Sequence, residues 1–126
     1  MMNGAGFMSS RGNANTGLEI ETRQEAAGVV VRARGEVTVF SSPALRESLR
    51  KIAELRPPRL VLDLAETRYV DSSGVATLVE ALQTVQRYRG RLILAGMNPR
   101  VRGVFEIARL DTVFPTASGV EEALKA

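Results

Sequence analysis

The chain has 126 residues, a length that suits one globular domain with its own hydrophobic core. It contains neither cysteine nor histidine, so disulfides, thiolate metal sites and a Ser-His-Asp triad are excluded. Seventeen Lys and Arg against fourteen Asp and Glu give a net charge of +3. The excess is mostly arginine without a dense basic tract, at Arg46, Arg50, Arg56, Arg59, Arg87, Arg89 and Arg91. We therefore expect a solvated basic surface, no nucleic-acid partner, no cofactor and no enzyme.

No apolar run approaches the roughly 20 residues of a membrane-spanning helix. The N-terminus also lacks the charged start and apolar stretch of a secretory signal. These features predict a cytoplasmic protein without direct membrane insertion. Residues 1–17 are rich in Gly, Ser and Asn, with too little apolar surface to repay the entropy of ordering them. We expect a flexible N-terminal tail over 1–17 and one α/β domain over 18–126.

The domain begins with a run of period two, in which Leu18 and Ile20 alternate with glutamates. A turn near residues 26–28 leads to a second apolar run over 29–33, and the two runs predict a β-hairpin. Next comes an N-cap signal, Ser41-Ser42-Pro43, which predicts the start of a helix. Its apolar face is Leu45, Leu49, Ile52 and Ala53. The helix must end before the two prolines at 57 and 58.

Residues 60–64 form a nearly continuous apolar run, typical of a central strand that is covered on both faces. The run ends near Asp63 and leads through Tyr69 and Val70 to a pair of serines. Beyond the pair, a second helical stripe comprises Val75, Leu78, Val79, Leu82 and Val85. That helix is predicted to end near Gly90, before another buried strand over 91–95. Both apolar helix faces are interpreted as core, not as partner grooves.

Asn98 and Pro99 repeat the combination of a cap and a proline and predict a third helix. Its inward residues would be Val101, Val104, Phe105 and Ala108. Residues 112–114 predict a last short strand. Ser118-Gly119-Val120-Glu121 has the form of a capping box and predicts a last helix. The order β-β-α-β-α-β-α-β-α indicates a mixed sheet opened by a hairpin and packed by about four helices.

One short motif could carry function: Asp71-Ser72-Ser73-Gly74, between a strand and a helix. Free backbone N–H groups and the positive end of the helix dipole would make phosphate favourable there. Asp and Ser are also the preferred N-caps, so Asp71 or Ser72 alone fits an ordinary helix start. The motif by itself leaves both interpretations open.

Four segments in the rest of the chain give the motif a context. They are Gly35-Glu36-Val37, the strand 60–64, the run 69–74, and Pro99 and Val101 followed by Phe105, Leu110 and Phe114. Together they resemble STAS domains, specifically the anti-sigma-factor antagonists, over residues 18–126. The resemblance implies that Ser72 is phosphorylated by a partner kinase that is also the anti-sigma factor. Unphosphorylated, the domain would sequester this kinase; phosphorylated, it would be released, and a separate phosphatase would reset it.

The resemblance also implies a partner-binding surface around the phosphoacceptor Ser72. Its residues would be Thr38, Phe40, Ser41, Asp71, Ser73, Gly74, Val75, Asn98 and Pro99. The family commonly has an aspartate where this chain has Thr38, which could instead be a local hydroxyl cap. A phosphoserine adds roughly −1.5 to −2 charges, which the Asp71 carboxylate would repel. ATP and magnesium would belong to the partner.

Two other functions are open. The domain could be a STAS accessory subunit of a lipid-type ABC transporter or of a stressosome-like signalling assembly, without sigma regulation. It could also be a small enzyme or nucleotide binder that uses Asp71 and the serine pair, although no general base or phosphate loop supports this.

Overall fold

The computed structural model describes residues 8–9 and 16–126. Its strands are β1 (Met8–Ser9), β2 (Leu18–Glu25), β3 (Gly28–Val37), β4 (Arg59–Asp63), β5 (Thr67–Val70), β6 (Arg91–Ala95) and β7 (Thr116–Ala117). Its helices are α1 (Ser42–Glu54), α2 (Ser72–Arg87), α3 (Pro99–Ile107) and α4 (Val120–Lys125). The mixed α/β architecture with four helices confirms the predicted fold class.

The strands form one mixed sheet in the order β1-β2-β3-β4-β6-β7. The pairs from β1 to β3 are antiparallel, and those from β3 through β4 and β6 to β7 are parallel. Residues 29–32 of β3 pair with β4, and residues 35–37 pair with β5. Because β2 pairs with the other edge of β3, β4 and β5 lie one after the other along the same edge of β3. The sequence did not predict β5 as a separate strand.

The centre of the sheet is the parallel pair β4 and β6. Residues 60–63 and 92–95 are all buried, as expected for strands that are covered on both faces. Leu60 and Leu62 face a core cluster that includes residues of α1, α2 and α3, whereas Val61 and Ile93 face a smaller cluster with α4. Three helices therefore cover one face of the sheet and α4 covers the other.

The apolar faces of α1 and α2 lie in the core, as the sequence predicted. Leu45 and Leu78 are completely buried, and Leu49 and Leu82 are nearly so. The helix α1 ends at Glu54, before the two prolines, and α2 ends at Arg87. The residues that follow these ends in left-handed backbone conformation are Arg56 and Arg89, with φ of 53° and 67°.

The predicted last strand was wrong in position. Residues 111–113 form a turn, in which the amides of Val113 and Phe114 both donate to the Leu110 carbonyl. This turn carries the Phe114 ring onto Phe105, edge to face, with ring centroids 5.4 Å apart. The strand comes two residues later, as β7. Aromatic packing thus outweighs the strand preference of a three-residue run.

Three local predictions at the helices also need correction. Ser41 precedes α1 but makes no capping bond; its hydroxyl accepts from the Thr38 amide (2.9 Å) and donates to the Glu36 carbonyl (2.8 Å). The cap of α4 is Gly119, and the carboxylate that accepts from the Ser118 amide (2.6 Å) belongs to Glu122, one residue after the predicted one. Ala108 follows the end of α3 and is exposed. Of these three differences, only the one at α4 is a shift by one residue.

Within the predicted tail, Met8–Ser9 pairs with β2 as strand β1. Residues 1–7 and 10–15 lie outside the described residues, so flexibility there stays a prediction. Among the described residues, no helix has the length and apolar character needed to cross a membrane.

The buried face of α2 gives a first test. Replacing Leu78, which is completely buried, by alanine should lower the free energy of unfolding by about 2–5 kcal/mol, because the cavity adds to the lost transfer energy. Leu55→Ala is the matched control; its side chain is 69% exposed, so it should change stability by less than about 0.5 kcal/mol. Urea unfolding measures both, and equal losses would contradict the packing described.

Candidate functional site

The start of α2 is organised by the carboxylate of Asp71. Its Oδ1 accepts hydrogen bonds from the amides of Ser73 (2.9 Å) and Gly74 (3.0 Å) and from the Ser73 hydroxyl (2.7 Å). The backbone of Asp71 is extended, as an N-cap requires. Asp71, and not Ser72, is therefore the N-cap of α2, which decides between the two candidate caps that the sequence offered.

The second carboxylate oxygen of Asp71 reaches a different segment. Oδ2 accepts from the amide of Val39 at 3.1 Å, and the Asp71 amide donates to the Val37 carbonyl at 3.0 Å. Val39 lies in the β3–α1 loop, residues 38–41. One side chain thus fixes both the helix start and the position of this loop.

Hydrogen bonding decides the charge state of Asp71. Burial raises the pKa of this carboxyl, but the hydrogen bonds from Ser73, Gly74 and Val39 together outweigh burial, so the pKa lies below its usual value. The carboxylate is therefore ionised at neutral pH, and a fixed negative charge lies next to Ser72.

The two serines of the motif have different environments. Ser72 is the first residue of α2 and is exposed, and its hydroxyl makes no hydrogen bond within the described part of the chain. Ser73 is only partly exposed, and its hydroxyl donates to Asp71. Only Ser72 thus offers solvent an unengaged hydroxyl, and it does so at a helix N-terminus, where phosphate is electrostatically favoured.

Gly74 and Val75 lie beneath this surface and are buried. A Cβ on Gly74 would lie 2.8 Å from the Cγ1 atoms of both Val37 and Val70, closer than real contacts allow. The missing side chain lets the start of α2 sit directly on the ends of β3 and β5. These two residues therefore position Ser72 from below.

The β3–α1 loop exposes two apolar side chains beside the helix start. Phe40 is 78% exposed and Val39 is 59% exposed. Thr38 is half-buried, and its hydroxyl accepts from the Phe40 amide at 3.2 Å, as a local cap would. Ser41 is completely buried and orders the loop from inside. Val39 was not among the predicted site residues, although a large apolar residue in a short polar loop was the available signal.

Asn98 and Pro99 begin α3 and lie further away. The Asn98 carbonyl oxygen accepts from the Val101 amide (2.8 Å), and its amide nitrogen donates to the Thr67 carbonyl (3.0 Å). Thr67 is the first residue of β5, about 13 Å along the strand from Asp71. The structure therefore brings together loop 38–41 and residues 71–75, and it places Asn98 and the exposed Pro99 at the other end of β5.

The double role of Asp71 predicts different effects of two substitutions. Asp71→Ala removes both attachments and should cost about 0.5–2 kcal/mol or more of unfolding free energy. Asp71→Asn keeps an oxygen for the amides of Ser73 and Gly74, but it turns its amide donor toward the Val39 amide. We expect stability close to the wild type with a more mobile loop 38–41, measured by urea unfolding and backbone amide order parameters. Equal destabilisation with an unchanged loop would contradict the assignment.

The pH dependence gives the control for this prediction. Because the pKa of Asp71 is lowered on folding, its ionised form contributes stability that is complete above about pH 4 and is lost as the pH falls through the folded-state value. Asparagine does not titrate. The stability difference between the wild type and Asp71→Asn should be constant from about pH 7 to 5 and change below about pH 4. A constant difference down to the acid transition would argue against the four hydrogen bonds.

Comparisons with known proteins identify the family of the chain. A family model described as the STAS domain matches residues 18–123. The anti-sigma-B factor antagonist of Bacillus subtilis is 28% identical over 104 residues, which cover 82% of this chain and 94% of that protein. The anti-sigma-B factor antagonist of Listeria monocytogenes is 27% identical over 99 residues, covering 79% and 86%. These relatives carry the names of binding regulators and not of enzymes.

Solved structures show the same fold. The crystal structure of an anti-sigma factor antagonist from Mycobacterium paratuberculosis superposes with a TM-score of 0.79 at 23% identity, covering 86% of this chain and 92% of that one. The anti-sigma factor antagonist SpoIIAA in its unphosphorylated form superposes with a TM-score of 0.72, also at 23% identity, covering 84% and 93%. At these identities, the likeness establishes architecture alone.

Proposed function

Since this chain belongs to the STAS domain family, we propose that it is an anti-sigma factor antagonist whose binding is switched at Ser72. In this proposal, the unphosphorylated domain sequesters a kinase-type anti-sigma factor. That partner phosphorylates Ser72 and releases the domain, and a separate phosphatase restores it. The observation that carries the proposal is the exposed, unengaged hydroxyl of Ser72 beside the engaged hydroxyl of Ser73.

The contact surface proposed for the unphosphorylated state is centred on Ser72 and the β3–α1 loop. Phe40 and Val39 supply exposed apolar area there, and aromatic residues are frequent among the side chains that dominate binding energy. The Asp71 carboxylate holds this loop beside Ser72 before any partner arrives. Such preorganisation lowers the entropy cost of binding.

Phosphorylation would act at the interface and not by unfolding the helix. A phosphate on the first residue of α2 lies at the positive end of the helix dipole, which stabilises it, while the amides of Ser73 and Gly74 stay bonded to Asp71. In a closed interface, however, roughly −1.5 to −2 charges must be desolvated next to the ionised Asp71. A loss of about 3 kcal/mol would weaken binding about a hundredfold. Phosphorylation would therefore leave the fold intact and prevent the partner from binding this surface.

Thr38 bears on which partner fits. The family commonly has an aspartate at this position, whereas the Thr38 hydroxyl and carbonyl serve the loop itself, the carbonyl accepting from the amides of Ser41 (3.0 Å) and Ser42 (2.7 Å). The proposed kinase would therefore recognise the apolar loop and the helix start without an acidic group at residue 38.

The assignment of Ser72 is tested with the organism's own kinase-type anti-sigma factor and ATP. Phosphopeptide mass spectrometry should find phosphate on Ser72 in the wild type and in Ser73→Ala, and none in Ser72→Ala. Calorimetry should show that Ser72→Asp binds the unmodified kinase at least about thirtyfold more weakly than Ser72→Ala, which lacks the added charge. Phosphate on Ser73, or equal affinities of the two variants, would refute the switch.

We expect Phe40 in the exposed loop to contribute to partner binding and not to the stability of the fold. Phe40→Ala should raise the dissociation constant for the kinase at least tenfold, because an exposed aromatic side chain that becomes buried in an interface contributes strongly there. Its unfolding midpoint should stay unchanged. Ile107→Ala is the matched control, since Ile107 is 87% exposed but lies at the end of α3. Equal losses from both variants would place the interface elsewhere.

A further inference from the structure

Arginines that are scattered in the sequence meet at the end of the molecule opposite Ser72. The group, which we name the arginine pole, consists of Arg56, Arg59, Arg87, Arg89 and Arg91. Four of these side chains are exposed and Arg59 is partly exposed. The sequence contains no dense basic tract, and it is the fold that brings these five residues together.

Strand register and loop contacts bring the pole together. Arg59 and Arg91 open the adjacent parallel strands β4 and β6 and are register partners. The Arg91 amide donates to the Pro58 carbonyl (2.9 Å), and the Tyr88 hydroxyl donates to the Pro57 carbonyl (2.9 Å). The connections that carry Arg56 and Arg89 are thereby held side by side.

The pole is separate from the phosphoacceptor. Ser72 and Arg87 are the two ends of α2, a helix of 16 residues, so about 24 Å lies between them. The residue before Ser72 is Asp71, a carboxylate and not a cation. The arginine pole and the phosphoacceptor therefore lie at opposite ends of α2.

Local structure does not favour arginine at these positions. Arg56 and Arg89 hold the left-handed conformation that follows a helix, where glycine is the usual residue. Arg59 and Arg91 place like charges on neighbouring strands, which is unfavourable. One cation at each helix end would satisfy the helix dipole, and five exceed that need.

No acidic side chain compensates the pole. Among residues 8–9 and 16–126, none of the five arginines forms an ion pair with an aspartate or glutamate. The neighbouring carboxylates are engaged elsewhere, Glu54 with Arg50 (3.1 Å) and Glu25 with Arg23 (2.6 Å). Arg59 donates through Nε to the Ala126 carbonyl oxygen, so the guanidinium groups available to an external anion are those of the other four arginines.

We propose that the arginine pole is a docking surface for the anionic phospholipid headgroups of a membrane. Guanidinium groups bind phosphate oxygens through paired N–H donors. Leu55, 69% exposed and next to Arg56, adds an apolar side chain that can reach the headgroup layer. The sole aromatic residue among the pole's loops, Tyr88, is partly buried with its hydroxyl engaged, so it offers no stacking platform to a nucleic acid. Docking this way would point Ser72 away from the lipid, accessible to its kinase.

Co-sedimentation with vesicles tests the proposal. The protein should bind vesicles with about 30 mol% phosphatidylglycerol and not vesicles of phosphatidylcholine alone, and added salt should weaken binding. Each arginine near such a surface contributes about fivefold, so the triple variant R56Q/R89Q/R91Q should bind about a hundredfold more weakly. The triple variant R100Q/R102Q/R109Q has the same net charge and exposed arginines elsewhere, and it should lose less than about threefold.

Fluorescence gives a second measurement, because the chain contains no tryptophan. In Leu55→Trp the emission should shift to shorter wavelength on the phosphatidylglycerol vesicles. Ile107→Trp, at an 87% exposed position at the end of α3, should show no shift. A shift in both variants, or in neither, would overturn the orientation proposed.

Three results would overturn the proposal. They are equal losses in the two triple variants, equal binding to both kinds of vesicle, and tighter binding to a fluorescein-labelled DNA duplex than to the anionic vesicles at the same salt. The last result would assign the pole to nucleic acid. Urea unfolding checks that both variants are folded. Phosphorylation of Ser72 in R56Q/R89Q/R91Q should be unchanged, so the outcome is independent of the antagonist function.

Discussion

The central parallel strands β4 and β6 must be covered on both faces, and this requirement arranges the rest of the molecule. Their middle residues are completely buried, so α1, α2 and α3 pack on one face and α4 on the other. The helices α1 and α2 return the chain to the sheet edge where β4 and β6 begin. The starts of α1 and α2 therefore lie at one end of the molecule and their ends at the other. Ser72 and the arginine pole owe their separation to this connectivity.

At the end of the molecule that carries Ser72, the structure depends on the hydrogen bonds that Asp71 accepts. Its carboxylate receives four hydrogen bonds, from the helix start and from the loop that carries Phe40. The same bonds keep it ionised, so one residue builds the surface and supplies the charge that a phosphate would meet. Ser73 is drawn into this network and Ser72 is left outside it. The functional difference between two adjacent serines is thus a consequence of capping geometry.

Similar charged residues have different roles because their neighbours differ. On strand β3, Arg34 is paired with Glu66 at 2.8 Å and with Glu21 at 3.3 Å. Asp63, predicted as the end of a buried strand, also receives Arg32 (3.4 Å) and the Ala65 amide (3.1 Å). Such half-exposed pairs contribute little stability each, but they neutralise these charged residues. Within the described residues, the arginines of the pole form no ion pair with an aspartate or glutamate. This makes them candidates for binding an external anion.

The sequence by itself determined the elements that follow local rules. Period two predicted the hairpin, period 3.6 predicted the faces of α1 and α2, and prolines limited α1, because these signals come from backbone geometry and from nearby side chains. The motif at residues 71–74, with its context, also predicted Ser72 as the phosphoacceptor, which stays a prediction until phosphorylation is measured. Where distant contacts compete, the local rules failed, as at residues 112–114, where Phe114 is drawn to Phe105.

Only the tertiary structure decided what depends on residues far apart in the chain. The bond from the Val39 amide to Asp71 spans 32 positions, and it identifies Val39 as part of the site. Exposure separated the surface residues Phe40 and Ser72 from the buried Ser41. The arginine pole exists because Arg59 and Arg91 are register partners, a relation set by sheet pairing. Periodicity records which face a residue occupies on its own element, but it does not record which elements become neighbours.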